Sequence, residues 1–329
     1  MKNIEEQISK GLIDGAVVLA GDMEKDLFSG AYGIADRAKK VPMTMDTIFD
    51  IASVTKVVGT TSGLLLALSD GLLDLDRPFN DFLTDFTGVL PRPVTVRQLA
   101  LHLSGVNLQY AHTGTPEEMR RGILNVDFPV PPLERYEYTC TSYILLGFLV
   151  EAIYRRPIDE LVGERVFRKL RMNDTRWTRP AEGGLPRTVR TINADPGTIS
   201  DFGARAYFPK ALGNAGIFST AADLAKYARM MLSGGRGIFR DGVTDRCFTN
   251  YSPNGLHPHA IGWDMIDDMI PAGFSPETVY HSGWTGQTVW LDPVQKRFVI
   301  VLTNRFQDWG EAKYGRKKIA GEILENIPA

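Results

Sequence analysis

Hydrophobic residues recur with different periods along the chain. Residues 1–12 place Ile4, Ile8 and Leu12 four apart, which predicts an amphipathic helix. Short apolar runs bounded by Gly, Pro, Asn or charged residues predict strands at residues 15–22, 27–37, 278–293 and 296–304. A second helical stripe of isoleucine and leucine covers residues 310–327. The pattern therefore places strands near both ends of the chain.

The middle of the chain has a mainly helical period instead. Apolar stripes of this kind run through residues 57–71, 95–105, 141–156 and 219–235. Gly71 stands where the end of a helix favours glycine. Two long polar stretches contain proline and glycine, and we expect these to be loops that form the site: residues 106–135 and 178–215.

Together these elements predict an α+β fold of the α/β sandwich type. An antiparallel sheet from both chain ends would be flanked by helices, with a mainly helical domain inserted between its halves. We place the sheet domain at residues 1–60 and 250–329 and the helical domain at residues 61–249. The active site is expected between the two domains.

Charge and composition narrow the class of partner. The 37 basic residues nearly balance the 39 acidic ones, so the net charge of −2 gives no reason to expect nucleic acid. Two distant cysteines predict neither a zinc site nor a disulfide framework. No signal peptide is recognisable, and the longest apolar stretch is too short to span a membrane. We expect a cytoplasmic protein, or a periplasmic or secreted one if an export signal has been removed; the oligomeric state stays open.

Ser53 and Lys56 are the first candidates for chemistry. Residues three apart share one face of a helix, so the pair could act as nucleophile and base. A serine that caps the helix and a lysine on the protein surface would produce the same sequence pattern. The apolar neighbours favour a buried lysine, and we expect burial to lower the pKa of Lys56 and leave a neutral amine. Backbone N–H groups at a helix start would also stabilise an oxyanion.

Two further stretches are less specific. Tyr138 stands in a polar turn before an apolar helix, where it could simply pack the helix entry. Residues 281–286 read HSGWTG, which we interpret as a strand with two glycines. Such glycines mark either a bulge or a close approach of backbone and ligand.

Taken together, these stretches resemble a known superfamily. ASVTK, YTCTSYILLG and HSGWTG are similar, in this order, to the three active-site motifs of the serine β-lactamases and penicillin-binding proteins. The closer likeness is to the branch of class C β-lactamases, D-aminopeptidases and esterase-like members. TVRQLALHLSG and GNAGIFSTAADL also resemble family segments, and the likeness covers about residues 20–310.

The resemblance implies two-step acyl transfer without a metal or another cofactor. Ser53 would be the acylated nucleophile, Lys56 would take or relay its proton, and Tyr138 would serve as base and later as acid. The backbone N–H groups of Ser53 and Trp284, the latter on the edge strand, would form the oxyanion hole. His281 would stand where Lys-Thr-Gly has its lysine. The residues implied in substrate binding are Cys140, His281, Gly283 and Trp284.

Cys140 departs from the family pattern, because the usual motif is Tyr-x-Asn. A thiol is a weak donor and cannot replace the hydrogen bonds of an amide. The departure therefore favours esters over peptides and β-lactams. A reactive thiol at Cys140 is the alternative, and Cys247 is expected to be a packed residue.

Other kinds of site find little support in the sequence. The five histidines, His102, His112, His257, His259 and His281, are dispersed, and we expect His257 and His259 to decorate a loop. The leading hypothesis is a serine hydrolase, either a carboxylesterase or a D-amino-acid amidase or peptidase, acting on a small acyl, ester or peptide substrate. The runner-up is a β-lactamase or D,D-carboxypeptidase. A catalytically silent sensor or scaffold is the alternative from another class.

Overall fold

The computed structural model describes residues 1–107, 113–181 and 183–328. The strands of this part are β1 (Ile13–Gly21), β2 (Asp26–Asp36), β3 (Val41–Pro42), β4 (Phe49–Asp50), β5 (Arg176–Trp177), β6 (Ile217–Ser219), β7 (Val279–Ser282), β8 (Gln287–Asp292) and β9 (Arg297–Arg305). The α-helices are α1 (Lys2–Ser9), α2 (Ser62–Ser69), α3 (Val96–Ala100), α4 (Pro116–Ile123), α5 (Cys140–Tyr154), α6 (Ile158–Val162), α7 (Phe202–Tyr207), α8 (Ala221–Leu232) and α9 (Trp309–Glu325).

The main sheet has six strands in the order β3-β2-β1-β9-β8-β7, and all of its pairs are antiparallel. The first strands of the chain therefore pair directly with the last, as the sequence predicts. The backbone N–H groups of Lys2 and Asn3 also donate to the Glu322 carboxylate, which ties α1 to α9. The fold is a mixed α/β fold with an antiparallel sheet flanked by helices.

Both faces of the central strands are covered, which explains their nearly continuous apolar sequences. Every residue of β1 is buried. Val17 and Ile300 face a large core shared with the helices of the middle of the chain. Val18 and Val301 are paired across β1 and β9 and face a smaller core formed with α1 and α9.

The stretch around Ser53 is a composite helix. A 3₁₀ turn at Ala52–Val54 and a π-helical turn at Lys56–Thr61 lead into α2. Gly71 follows this helix with a φ of +71°, which confirms the glycine predicted at its end. Within the described residues, Ala52–Ser69 has the length and apolar composition of a membrane span. However, 89% of this run is buried inside the fold, as in the core helix of a folded domain.

Three predicted elements differ from the observed ones. Residues 278–293 form two strands, β7 and β8, because residues 283–286 make a tight turn between them. The stretches predicted as loops contain α4 and α7, each started by a capping side chain. A second sheet in the order β4-β6-β5 was missed, because its strands have only two or three residues. The division into two domains stays a prediction.

Candidate active site

Ser53 lies in a strained turn that follows β4. Ala52 has a φ of +46°, a conformation that costs energy for any residue with a side chain. The turn is held by the buried Asp50 carboxylate, which accepts from Ala52 N at 2.9 Å and from Ser200 N at 2.7 Å. Burial raises the pKa of Asp50. The backbone before Ser53 is thus fixed by neighbours from a distant segment.

Lys56 lies one helical turn further and is fully buried. Its Nζ donates to Ser53 Oγ at 3.0 Å and to the carbonyl oxygen of Asn214 at 3.1 Å. The Sγ of Cys140 lies 3.6 Å away. The three acceptors match the three N–H groups of an ammonium.

The charge of Lys56 differs from the sequence-based expectation. Burial does lower the pKa of Lys56, but the acidic groups of Cys140 and Tyr138 raise it by more, so the net shift of the pKa is upward. The neutral amine expected from burial alone is therefore wrong. With its pKa shifted upward, Lys56 is an ammonium in the folded protein near neutral pH.

Tyr138 stands beside this cation. Lys56 Nζ lies 5.0 Å from the centre of the Tyr138 ring, and the tyrosine is 42% exposed toward the cleft. The hydroxyl end of the side chain is nevertheless buried, which raises the pKa of Tyr138, while Lys56 opposes that shift without reversing it. The structure thus brings Ser53, Lys56 and Tyr138 together.

His102 fixes the backbone on both sides of Tyr138. Its Nδ1 accepts from Thr139 N at 3.2 Å, and its carbonyl oxygen accepts from Glu137 N at 3.0 Å. The His102 and Tyr138 rings are 4.6 Å apart between centres. His102, in the LHLSG stretch, therefore holds the backbone on both sides of Tyr138 in place.

The two cysteines have different surroundings. Cys140 is the first residue of α5 and contacts Lys56, although it does not line the cleft. Cys247 is buried in the large core, as expected for a packed residue, and burial raises its pKa.

The β7–β8 turn closes the other side of the site. A Cβ on Gly283 would lie only 2.7 Å from the carbonyl oxygen of Ile51, so glycine is required for the turn to approach the Ser53 backbone. Thr285 Oγ1 donates to the carbonyl oxygen of Asp50 at 3.2 Å. The HSGWTG stretch is therefore not a strand with two glycines, and Trp284 lies in the turn after the edge strand. The oxyanion-hole role of Ser53 and Trp284 stays a prediction.

The four described histidines, His102, His257, His259 and His281, lie near one another in space. His259 and His281 are buried, and each directs Nδ1 at a backbone carbonyl oxygen, so Nε2 carries the lone pair. Burial lowers the pKa of His259 to about 4 and that of His281 to about 3. His257 lies in an irregular segment, as expected, and its Nε2 contacts Asp264 Oδ1 at 2.9 Å. His112 lies outside the described residues.

These groups surround one cleft of about 320 Å³. Its lining residues are Ser53, Tyr136, Tyr138, His257, His259, Asp264, Tyr280, His281, Ser282, Trp284 and Lys313. No described residue of the stretches 106–135 and 178–215 is among them. Within the part of the chain that the structure covers, no group of three or more His, Cys, Asp or Glu side chains is arranged to hold a metal ion.

A family model described as Beta-lactamase matches residues 1–321. The chain belongs to the β-lactamase family. One relative is a protein of Escherichia coli (strain K12) named as a candidate D-alanyl-D-alanine carboxypeptidase. It is 27% identical, over 92% of this chain and 80% of the relative. The family and its relatives identify the protein as a serine hydrolase.

Solved structures of the β-lactamase family share the fold. EstCE1, described as a hydrolase with promiscuous acyltransferase activity, aligns with a TM-score of 0.80 and 20% identity, over 98% of this chain and 96% of its own. The class C β-lactamase of Rhodobacter sphaeroides aligns with a TM-score of 0.78 and 19% identity, over 98% of both chains.

Sequence reasoning missed the far wall of this β-lactamase-family cleft. Tyr136 stacks on His257 with 4.0 Å between ring centres, and Tyr280, Asp264 and Lys313 complete the wall. These residues come from four separate segments. The two histidines around Pro258 were the one local signal, and long-range pairing decides the rest.

Proposed function

We propose that this protein hydrolyses small carboxylic esters through an acyl-enzyme on Ser53. The observation that carries the proposal is the hydrogen bond from Lys56 Nζ to Ser53 Oγ, 3.0 Å long, with Tyr138 alongside. A serine hydroxyl held by a buried cation is more acidic than a free one, because the cation stabilises the alkoxide.

The residues take successive roles in this mechanism. In the reactive form Tyr138 has lost its proton and is a phenolate, and it accepts the proton of Ser53 while Ser53 Oγ attacks the ester carbonyl carbon. Lys56 stays an ammonium and stabilises the negative charge on Tyr138 and Ser53. Tyr138 then protonates the leaving alkoxide, and a water molecule attacks the acyl-enzyme by the same route in reverse. N–H groups of Ser53 and Trp284 would bind the oxyanion.

Two features favour esters over β-lactams and D,D-peptides. Cys140 has no amide to hold a substrate carbonyl next to Lys56. His281 is neutral because burial lowers its pKa to about 3, so β7 presents no cation to a substrate carboxylate. Lys313 also lines the cleft, but the Asp264 carboxylate in the same cleft offsets the positive charge of Lys313.

Amide hydrolysis of the D-amino-acid type is the second candidate. Asp264, Tyr136 and Tyr280 line the cleft, and although Lys313 offsets part of the carboxylate charge, an acid beside two aromatic rings suits a substrate ammonium. The name of the Escherichia coli relative points in the same direction.

Parallel kinetics on one preparation test the proposal. We expect turnover of p-nitrophenyl acetate and butyrate to exceed that of D-alanine p-nitroanilide and of a chromogenic cephalosporin. Ser53→Ala should abolish turnover and the fluorophosphonate adduct, whereas Ser9→Ala on the exposed end of α1 should preserve both. An ester turnover that survives in Ser53→Ala, or a wild-type protein that forms no adduct on Ser53, would contradict the proposal.

A further inference from the structure

Two arginines are buried behind the cleft without a compensating carboxylate. Arg305 at the end of β9 is 3% exposed, and Arg316 on α9 is 1% exposed. Across the described ranges, no carboxylate lies within the 4.0 Å of a salt bridge from either guanidinium. A buried charge is costly unless it is paired, so two neighbouring ones call for an anion.

Both guanidinium groups are held in place by neutral acceptors. Arg305 Nε donates to the carbonyl oxygen of Trp284 at 2.6 Å, and its Nη1 donates to that of Gln307 at 2.6 Å. Arg316 Nε donates to Thr288 Oγ1 at 2.8 Å, and its Nη1 donates to the carbonyl oxygen of Ala312 at 3.0 Å. The Nη2 atom of each arginine is buried and has no hydrogen-bond partner.

The two groups lie in the same layer, between the sheet and the first turn of α9. Val299 and Val301 of β9 face α9, and Arg305 follows them in the same alternation. The bond to Ala312 turns the Arg316 side chain back toward the start of α9, where Arg305 reaches Gln307. Burial, with a further contribution from the charge of Arg305, lowers the pKa of Arg316 to about 9.

The start of α9 adds to the positive potential of this layer, because a helix N-terminus carries a partial positive charge. The charge of Asp308 raises the pKa of Arg305, and this exposed carboxylate caps α9 by accepting from Glu311 N at 2.8 Å. Asp308 and the Trp284 ring, whose centre lies 4.3 Å from the guanidinium carbon of Arg305, offset part of the positive charge, but neither gives the Nη2 atoms a hydrogen-bond acceptor.

We propose that Arg305 and Arg316 together bind a small inorganic anion of the size and charge of chloride beneath the first turn of α9. Neither arginine lines the substrate cleft, so a substrate carboxylate does not reach this position. The donors that remain are the two Nη2 groups, which suit a compact monoanion. The anion lies behind the cleft wall, since Arg305 holds Trp284 and Arg316 reaches Ser282 through Thr288.

Replacement of gluconate by chloride at constant ionic strength tests the site on the whole protein. We expect the melting temperature of the wild type to rise by a few degrees and to saturate, because the anion binds the folded state alone. Arg316→Met should remove this response. Arg77→Met, which breaks an exposed pair with Asp81, should keep it. Equal responses in wild type and Arg316→Met, or no response specific to chloride, would overturn the proposal.

Bromide supplies a second readout that needs no variant. Crystals soaked in sodium bromide should show an anomalous peak in contact with the Nη2 atoms of Arg305 and Arg316. The absence of that peak at a bromide concentration that saturates the thermal shift would overturn the proposal, even if Arg316→Met does not fold.

Discussion

At the scale of single residues, the Lys56 ammonium is the charge around which the site is arranged. Its three N–H groups reach Ser53, Cys140 and Asn214, which come from three separate segments. Ser53 and Lys56 are neighbours by helical spacing, so their contact could be predicted from sequence. The direction of the Lys56 pKa could not, because Tyr138 and Cys140 outweigh burial only once the fold brings them close.

The pH profile tests which group accepts the Ser53 proton. The reactive form has lost one proton from the Lys56–Tyr138 pair, and both pKa values are raised above their usual values near 10. We therefore expect kcat/KM on an ester to rise about tenfold per pH unit between pH 6 and 9. A plateau near neutral pH would indicate a neutral Lys56 as the base instead.

Tyr138→Phe tests the same assignment by removal of the hydroxyl. Loss of a general base typically costs about 10²-fold or more in kcat/KM, and the remaining activity should lose the steep pH dependence. Tyr314→Phe, which removes an exposed hydroxyl bonded to Asp268, is the matched control and should keep rate and profile. An unchanged rate in Tyr138→Phe would overturn the role given to Tyr138.

Cys140→Asn tests the departure from the family motif. An amide at this position can hold a substrate carbonyl beside Lys56, so the ratio of amide to ester turnover should rise. Cys140→Ser, close to cysteine in size and without an amide, should leave the ratio near that of the wild type. If Asn and Ser change the ratio equally, Cys140 does not limit amide hydrolysis.

At the scale of elements, the site depends on two turns pressed against each other. The β7–β8 turn meets the Ser53 turn through Gly283 and through the bond from Thr285 to Asp50. Strand propensity predicts one strand over residues 278–293, because the segment stays rich in β-branched and aromatic residues. Gly283 and Gly286 do not reveal from sequence that a turn divides it into β7 and β8. Their contact with Ile51 is nonlocal and could not be predicted from the local pattern.

Gly283→Ala should separate these turns. The added Cβ would lie 2.7 Å from the carbonyl oxygen of Ile51 and 2.5 Å from Gln287 Oε1, so the backbone around Ser53 must shift. We expect a loss of ester turnover on the order of 10²-fold, because small displacements of reacting groups are that costly. Gly122→Ala in α4 meets no atom within 4 Å and should leave the rate unchanged. Wild-type turnover in Gly283→Ala would show that the turns can separate without harm.

At the scale of the whole molecule, the antiparallel sheet and its helical covers were predictable from the two periods of the apolar pattern. The gathering of four histidines from three distant segments was not, since their positions along the chain carry no common period. His102, His259 and His281 all have pKa values lowered by burial. These three histidines are therefore neutral in the folded protein at neutral pH.

Stability should accordingly fall as the solution becomes acidic. Below about pH 6.5 the unfolded chain binds protons on these histidines and the folded chain does not, so the free energy of unfolding rises with pH in this window. The loss should be on the order of 1 kcal/mol per pH unit for each histidine, down to about pH 4 for His259 and about pH 3 for His281. Melting temperatures between pH 4 and 7.5 measure it, and His259→Gln should lessen the slope. A melting temperature independent of pH in this range would contradict neutral burial.

The pairing of β1 with β9 also sets the order of events during synthesis. The residues between these strands take of the order of half a minute to translate at about 5–20 residues per second. During that time β1 has an apolar strand edge with no partner, which is the kind of edge that aggregates. β2 pairs with the opposite edge of β1, so the edge that β9 covers stays open until β9 has emerged. Ser53 leaves the ribosome early, but the cleft around it is complete only after β7, β8 and β9 have emerged.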